Sequence, residues 1–523
     1  DAIGRVVAVR KFAAVFPAGV LNDSATTAQL DAQLGPVGAW SAAYQHEYRV
    51  YDAAGRLRIS YDAFAQVTQT DYDGAGRMII ARRYAVPFSS TDPNLGSKLF
   101  AGTASTADFA TFTAANESTA RAQAMVYDAA GQLRYTLARH AGVWTVGERQ
   151  YDGVGRTTAE VRYGVTIAYT PGQTEAQVIG ALQTALIPDP TQARTTRFAY
   201  DAANRQRFVM DATGALSEQR YDGAGRVVET RSYGNLPVGI AVTTAALSAW
   251  GQGQASADVR KVTNSYDGAG QLVARTDALG HSETFTYDGA GRMLTRTDRT
   301  GAVWSYEYDN AGRRTAEISP ASDVYGITAL GALSVSNRSI VTRYVYDGLG
   351  QVTRKTEDAD NATVAERRIT DYVYDTRGHL IRTILPNPGA IDPVTGNLVF
   401  NGANPTIETT FDALGQAVVQ KDARGYYRYT TYDAQGQVSA EVDQAGNVTT
   451  YGYNAYGEQT QLLRYAAALN TNAAAFTSVS WQAGQAMVWS QIVAGTDNGN
   501  AGNRAITTAY DGLGRKTEVT STA

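Results

Sequence analysis

Cysteine is absent from the 523 residues. Disulfides, thiolate nucleophiles and cysteine-held metals are therefore excluded, and stability has to come from packing and hydrogen bonding. Histidine is nearly absent: His46, His140, His281 and His379 stand far apart. No apolar run approaches the ~20 residues of a membrane-spanning helix. The first residues lack a basic-then-apolar leader. The net charge of -4 comes from interleaved acids and bases, so there is no basic face for nucleic acid and no polyanionic tail. Gly-x-Ser-x-Gly and His-Glu-x-x-His are also missing. Nothing in these absences leaves an obvious catalytic constellation, and no cofactor or metal is expected.

What is present is repetition. The hexapeptide Tyr287-Asp288-Gly289-Ala290-Gly291-Arg292 has near-copies at Tyr51-Asp52-x-x-Gly55-Arg56, Tyr72-Asp73-x-x-Gly76-Arg77 and Tyr221-Asp222-x-x-Gly225-Arg226. Others stand at Tyr308-Asp309-x-x-Gly312-Arg313 and Tyr510-Asp511-x-x-Gly514-Arg515. Tyr127, Tyr151, Tyr346 and Tyr374 open further copies, and Asn204, Phe411 and Asn454 mark weaker ones. A chain of this length exceeds one ordinary hydrophobic core, and internal repeats point to an array.

The spacing gives the unit. Tyr51 to Tyr72, Tyr200 to Tyr221, Tyr266 to Tyr287, Tyr287 to Tyr308 and Tyr432 to Tyr453 are all the same step along the chain. A second turn signal follows each motif's last Gly, as in Asp277-Ala-Leu-Gly280 and Asp298-Arg-Thr-Gly301. Asp opening a type I turn hydrogen-bonds the backbone ahead of it, and Gly three places on takes the left-handed conformation. Each step therefore reads strand, turn, strand, turn. Tyr alternates with polar residues in Trp304-Ser305-Tyr306-Glu307-Tyr308, the pattern of a half-buried strand. With 32 Tyr against 13 Phe, sheets that are only partly dry are expected, with Tyr beside Tyr in neighbouring strands.

In five repeats the second turn is missing. An aromatic stands there instead, at Phe12, Tyr84, Tyr163, Tyr233 and Tyr465, and a long insert follows. Inserts leaving at one phase of the repeat should leave from one edge of the ribbon. Thr174-x-x-Gln177 before Val178, Ile179, Leu182 and Leu186 reads as a capped helix stopped by Pro188, and Thr26-x-x-Gln29 reads likewise. The Ala-rich run Ala107 to Ala124, with Phe109 and Phe112, also reads as helical.

Tyr-Asp-x-x-Gly-Arg units recurring at this constant step resemble those of YD-repeat, or rearrangement-hotspot (Rhs), proteins. That family includes the C component of bacterial Tc toxins, Rhs polymorphic toxins and the barrel part of teneurins. The resemblance implies a mainly β fold, in which a ribbon of antiparallel hairpins winds spirally into a hollow shell or barrel. It also implies roles: bacterial shells enclose a toxic C-terminal segment, and the teneurin barrel supports cell-surface adhesion. Bacterial shells commonly end in a self-cleaving region with Asp-Pro-x-Gly. Here Asp92-Pro93, Asp189-Pro190 and Asp392-Pro393 lack Gly at the required place, since Gly96 and Gly396 come one residue late. No catalytic aspartate carries over.

The motif Asp is explained fully as a turn-former; the motif Arg reads as a cross-strand partner for a neighbouring Asp or Glu ahead of a surface that binds carboxylates or phosphates. Asp358-Ala-Asp360-Asn361 and Asp497-Asn498-Gly499-Asn500 resemble pieces of calcium loops without the closing Glu. The expectation is a single β-shell over 1–523, an internal piece of a longer polypeptide. Inserts are expected at about 13–47, 85–125, 164–197, 234–263, 320–340, 386–407 and 466–506. Its function reads as a non-enzymatic scaffold around a C-terminal segment of a secreted or delivered bacterial protein. An adhesion array binding carbohydrate or protein through the inserts is the alternative. Expected partners are its own cargo or flanking domains, then delivery machinery or cell-surface glycans. Nucleic acid and membrane insertion are not expected.

Overall fold

The computed structural model describes residues 4–12, 44–140, 142–186, 192–255, 259–327, 333–362, 367–392, 394, 398–399, 402–477, 481–511 and 514–522. The reading of Thr26-x-x-Gln29, the helix stop at Pro188 and most of the insert expected at 13–47 lie outside them. The chain is mainly antiparallel β, with 46 % strand and 11 % helix.

One hairpin explains the rest. Between the strands Ser282–Tyr287 and Met293–Thr297, the Asp288 N–H donates to the Arg292 carbonyl (2.9 Å) and the Gly291 N–H to the Asp288 carbonyl (3.0 Å). The Asp288 Oδ1 accepts from the N–H groups of Ala290 (2.9 Å) and Arg292 (3.0 Å). Gly291 closes the turn at φ 85°. Pairing then jumps by one residue at Tyr287, which faces Met293. This is a type I turn with a glycine bulge, whose twist suits antiparallel strands. The second turn repeats the geometry: the Asp298 Oδ1 accepts from Thr300 (2.8 Å) and Ala302 (3.0 Å), and Gly301 has φ 88°.

Because both reversals are tight, each strand can pair only with the next. The result is a meander of 31 strands in one sheet, antiparallel throughout. Two small hairpins stand outside it, Ser322–Ile327 with Leu333–Arg338 and Ala390–Ile391 with Leu398–Val399. The ribbon bypasses both, since Arg314–Ile318 pairs with Val341–Tyr346 and Leu380–Ile384 with Thr406–Phe411. In a meander successive turns fall on opposite rims. The Tyr-Asp turns thus occupy one rim, and the second turns and the long connections occupy the other.

The long connections supply a second layer where they carry helices. Helix Glu175–Leu186, with the Thr174 N–H donating to the Gln177 Oε1 (2.8 Å), buries Val178 and Leu182 against Ile80, Leu137 and Trp144. Helix Leu95–Ala101 buries Leu95 and Leu99 against Tyr48, Val50 and Ile59. Leu247 of helix Thr244–Gln252 packs on Phe208 and Leu216. Phe476 and Ile492 cover Val419, Ala440 and Val448. The Ala-rich run is helical only as far as Asn116. Ala122 and Ala124 belong to the strand Arg121–Tyr127 and are buried there, sheet packing overriding the helix preference of Ala. Ribbon strands also reach into stretches read as inserts: Arg121–Tyr127 begins before 125, and Thr157–Ile167 ends after 164.

From Arg260 to Phe411 the second layer is gone. Only Ala316 and Val341 are buried hydrophobics among the described residues there, although the sheet is continuous. This stretch is one sheet thick and wet on both faces. Polar pairs across strands replace a core, such as the hydroxyls of Thr286 and Thr295 (2.6 Å) and Arg296 with Glu283 (2.9 Å).

The turn geometry makes a paired prediction. Ala65 occupies the glycine place of its turn at φ 60°, whereas Gly312 holds φ 82° with no heavy atom nearer than 4.0 Å to an added Cβ. A Cβ at positive φ costs about 1 kcal/mol. Ala65→Gly should therefore raise the midpoint of thermal unfolding, and Gly312→Ala should lower it, both followed by circular dichroism.

Candidate functional site

The motif side chains form a ladder along one rim. The Arg56 Nε donates to the Asp52 Oδ2 of its own turn (2.8 Å), and its Nη1 reaches the backbone carbonyl of Asp73 in the next motif (3.2 Å). The guanidinium lies 5.0 Å from the centre of the Tyr72 ring. The Tyr72 hydroxyl donates back to the Leu57 carbonyl (3.0 Å). The rung recurs: Arg292 holds Asp288 (2.7 Å) and the Asp309 carbonyl (2.8 Å), lies over Tyr308 (5.2 Å), and Tyr308 donates to Met293 (2.9 Å). It also crosses the connections. Arg77 lies over Tyr127, Arg226 over Tyr266 and Arg313 over Tyr346, at 4.4, 4.9 and 4.8 Å. Tyr221, Tyr287 and Tyr510 give their hydroxyls to Gln206, Leu272 and Gln459 (2.6–2.9 Å). Tyr51 gives its own to Val6 (2.8 Å), under Arg5. Arg515 pairs with Asp511 (2.7 Å).

The motif Arg pairs across the hairpin with the Asp of its own turn, four residues back. One expectation changes here. The neighbour over Tyr72, Tyr127, Tyr266, Tyr308 and Tyr346 is an arginine, not another tyrosine. Equivalent tyrosines recur every second strand, about 9–10 Å apart, and the guanidinium fills that interval as a cation–π partner.

Departures from the motif keep the rung by other means. Phe411 has no hydroxyl, and the His379 ring stacks on it at 4.7 Å while its Nδ1 stands 2.9 Å from the Asp375 Oδ2. Where Gln replaces Arg, the Nε2 of Gln351 and of Gln437 donates to the carbonyls of Gly378 (3.1 Å) and Gly457 (3.3 Å). Of the other histidines, His281 is exposed beside Asp277, and His46 packs near Tyr48. The His140 side chain lies outside the described set.

The repeat Tyr453-Asn454-Ala455-Tyr456-Gly457-Glu458 breaks the charge pattern. Asn stands where Asp belongs and Glu where Arg belongs. The Asn454 Nδ2 donates to Glu458 (2.7 Å), so the turn still closes. Glu458 is then free to receive Arg121, from 337 residues earlier, in a two-pronged pair of 2.7 and 2.8 Å. Arg121 also reaches the Asp511 carbonyl (3.0 Å) and covers the Tyr456 ring at 3.7 Å. It thus supplies from a distant part of the ribbon the rung that Glu458 cannot make. Two further contacts join the same rims across 373 residues each, Gln435 Nε2 to Asp62 Oδ2 (3.1 Å) and the Tyr456 hydroxyl to the Arg83 carbonyl (3.5 Å). The ribbon therefore comes round and lays its Tyr-Asp rim on its own opposite rim. We call this contact the seam.

A third set of residues escaped sequence reasoning. Glu218, 1 % exposed, accepts from Arg207 (2.8 Å), Arg220 (3.0 Å) and the Tyr233 hydroxyl (2.7 Å). Glu148 likewise holds Arg134 (2.6 Å) and Tyr163, and the Gln69 Oε1 accepts from Tyr84 (2.7 Å). The available signal was an acid or amide three residues before a motif Tyr in repeats whose insert leaves after another Tyr. Burial favours the neutral form of Glu218, but hydrogen bonds from Arg207, Tyr233 and Arg220 outweigh it and hold its carboxyl below the ordinary range, ionised. A saturated carboxylate of this kind is a structural anchor, not a proton donor. Among the described residues no group of three His, Cys, Asp or Glu is placed to hold a metal. No helix among them is long and apolar enough to cross a membrane.

The ladder has a pH signature. Asp52, Asp73, Asp222, Asp288 and Asp309 are all held below the ordinary carboxylate range, first by the backbone N–H of the motif Arg. Asp375 is held down to about 2, first by the His379 side chain. A carboxyl more acidic in the folded chain stabilises it fully above the unfolded value, about 3.9, and loses that as pH falls through the folded value. Sheet circular dichroism should stay level from neutral pH to roughly pH 4 and be lost cooperatively between about pH 4 and 2. Loss above pH 5 would assign the ladder's stability to other groups.

The RHS Repeat family model matches residues 266–303, 294–324 and 432–468. No curated protein matches the chain. Among solved structures, a complex of TcdB2-TccC3 with Cdc42 is 13 % identical with a TM-score of 0.27, covering 91 % of this chain and 30 % of that one. The Photorhabdus luminescens Tc holotoxin pore is 14 % identical with a TM-score of 0.21, covering 91 % and 33 %. The chain thus spans about a third of the solved chains it matches. The matched segments hold Tyr-Asp turns, rungs and the Glu458 side of the seam, and over those segments the chain carries RHS repeats.

Proposed function

We propose that the chain is a non-enzymatic wall that winds around a space and isolates a segment of its own polypeptide there. The observation that carries this reading is the seam: rims 373 residues apart are joined by Gln435 with Asp62 and locked by Arg121 with Glu458. Between those rims run 23 described strands of one continuous sheet. At about 4.8 Å per strand they make roughly 110 Å of ribbon, which bent into a circle is roughly 35 Å across. A wall one sheet thick and polar on both faces between Arg260 and Phe411 suits a water-filled interior better than a solid stack. Tyr, Thr, Gln and Arg on such a wall give a weakly adhesive, hydrated lining, suited to an unfolded or toxic segment rather than one small ligand. The RHS-repeat matches over 266–324 and 432–468 agree with this reading. Flanking parts of the same polypeptide and a delivery apparatus are the partners it implies, for a secreted or delivered bacterial protein.

The seam supplies the test. Arg121→Glu sets two acids face to face and should part the rims, while the double variant R121E/E458R restores opposite charge. Small-angle scattering should give the wild type a pair-distance profile with a hollow centre. The single variant should expand and become sensitive to protease, and the double variant should recover most of the compactness. A wild-type profile of a solid particle or a flat open ribbon would end the containment reading, as would identical profiles for wild type and Arg121→Glu.

A further inference from the structure

Where the rims meet they leave a groove of about 390 Å³, a size common for small-molecule sites. One bank is the Asp62 turn with Phe64, Gln66 and Pro87, and the other is the Asp433 and Asn454 turns with Trp489 from an insert helix. Phe64 and Trp489 are 38 % and 44 % exposed, large for rings on either side of one groove. Tyr432, Tyr451 and Tyr453 add further ring surface between them. Among the described residues no Lys, Arg or His lines it. The acid that does, Asp433, spends Oδ1 on the N–H groups of Gln435 and Gln437 (both 2.9 Å). An anion would find no counter-charge there.

The second observation is an orphan acceptor. Gln66 is 7 % exposed, lines the groove, and its Oε1 has no hydrogen-bond partner. Buried acceptors are rarely left so. Rotation of the terminal amide would turn that oxygen toward the groove, where a ligand hydroxyl could donate to it.

We propose that the seam groove binds a neutral saccharide, a mono- or disaccharide unit. Its C–H faces would lie against Trp489 and Phe64, and its hydroxyls would donate to Gln66 and meet the amide of Gln437. Sugars combine apolar faces with many uncharged donors, which is the complement of aromatic rings, side-chain amides and an unpaired carbonyl oxygen. This inference rests on the seam and is independent of what the wall contains.

Calorimetric titration of the intact chain with cellobiose, chitobiose, lactose and maltose tests it, with tryptophan fluorescence as a second readout. At least one sugar should bind saturably in the low-millimolar range. Trp489→Ala and Gln66→Leu should each weaken it at least tenfold while keeping the wild-type circular dichroism. Phe64→Ala serves as a further variant if either misfolds. The proposal falls if none of the four binds up to about 20 mM, or if affinity is unchanged in folded variants. It falls equally if an uncharged Asn- and Gln-rich peptide binds the groove and the sugars do not.

Discussion

A carboxylate that caps a chain reversal is the interaction on which everything else here depends. The motif Asp spends Oδ1 on two backbone N–H groups ahead of it, which shapes the turn, and Oδ2 on the arginine that leaves the turn. The same side chain therefore fixes the local bend and aims the guanidinium at the next repeat. A glycine at positive φ is favoured because the bend ends in the left-handed region. Local folding and repeat-to-repeat stacking are thus not separate problems for this chain. One residue solves both, and an array can lengthen without a growing core.

That economy divides the molecule into two regimes. Before Arg260 and after Phe411, helices from the long connections fold back and dry one face of the sheet, and buried acids such as Glu218 are tied down by two arginines and a tyrosine. Removing one partner from such a cluster would strand a buried charge. Between Arg260 and Phe411 there is no such layer among the described residues, and the wall relies on rungs, hydroxyl pairs and the sheet itself. The first regime resembles an ordinary domain core. The second resembles a solenoid, in which each unit is supported mainly by its neighbours.

Sequence reasoning reached the features whose causes lie within one repeat. Asp and the Gly that follows it in the motif specify the turn, the constant Tyr-to-Tyr step specifies the hairpin pair, and Thr174 with Gln177 announces a helix. It went wrong where a cause lies one repeat away. The target of Arg56 is the Asp73 carbonyl and the Tyr72 ring, visible only once the strands are paired. It misread Ala122 and Ala124 because burial in the sheet outweighs propensity. The seam lay furthest out of reach. Asn454 stands out as an irregular motif residue, and Glu458 as a charge reversal, but the partner of Glu458 stands most of the chain away at Arg121, and nothing nearby names it.

The seam also makes the circuit countable. Glu458 faces Arg121 only if the number of strands between them brings that one turn round to that one place. Deleting one repeat unit inside the circuit would slide the acid along the rim and present Arg121 with Arg515, and duplicating one would present it with Gln437. Repeats can multiply freely outside the circuit, whereas inside it their number is held by a single reversed pair. Arrays built from interchangeable units usually drift in length. In this one, a two-residue exception acts as the stop that sets the circumference.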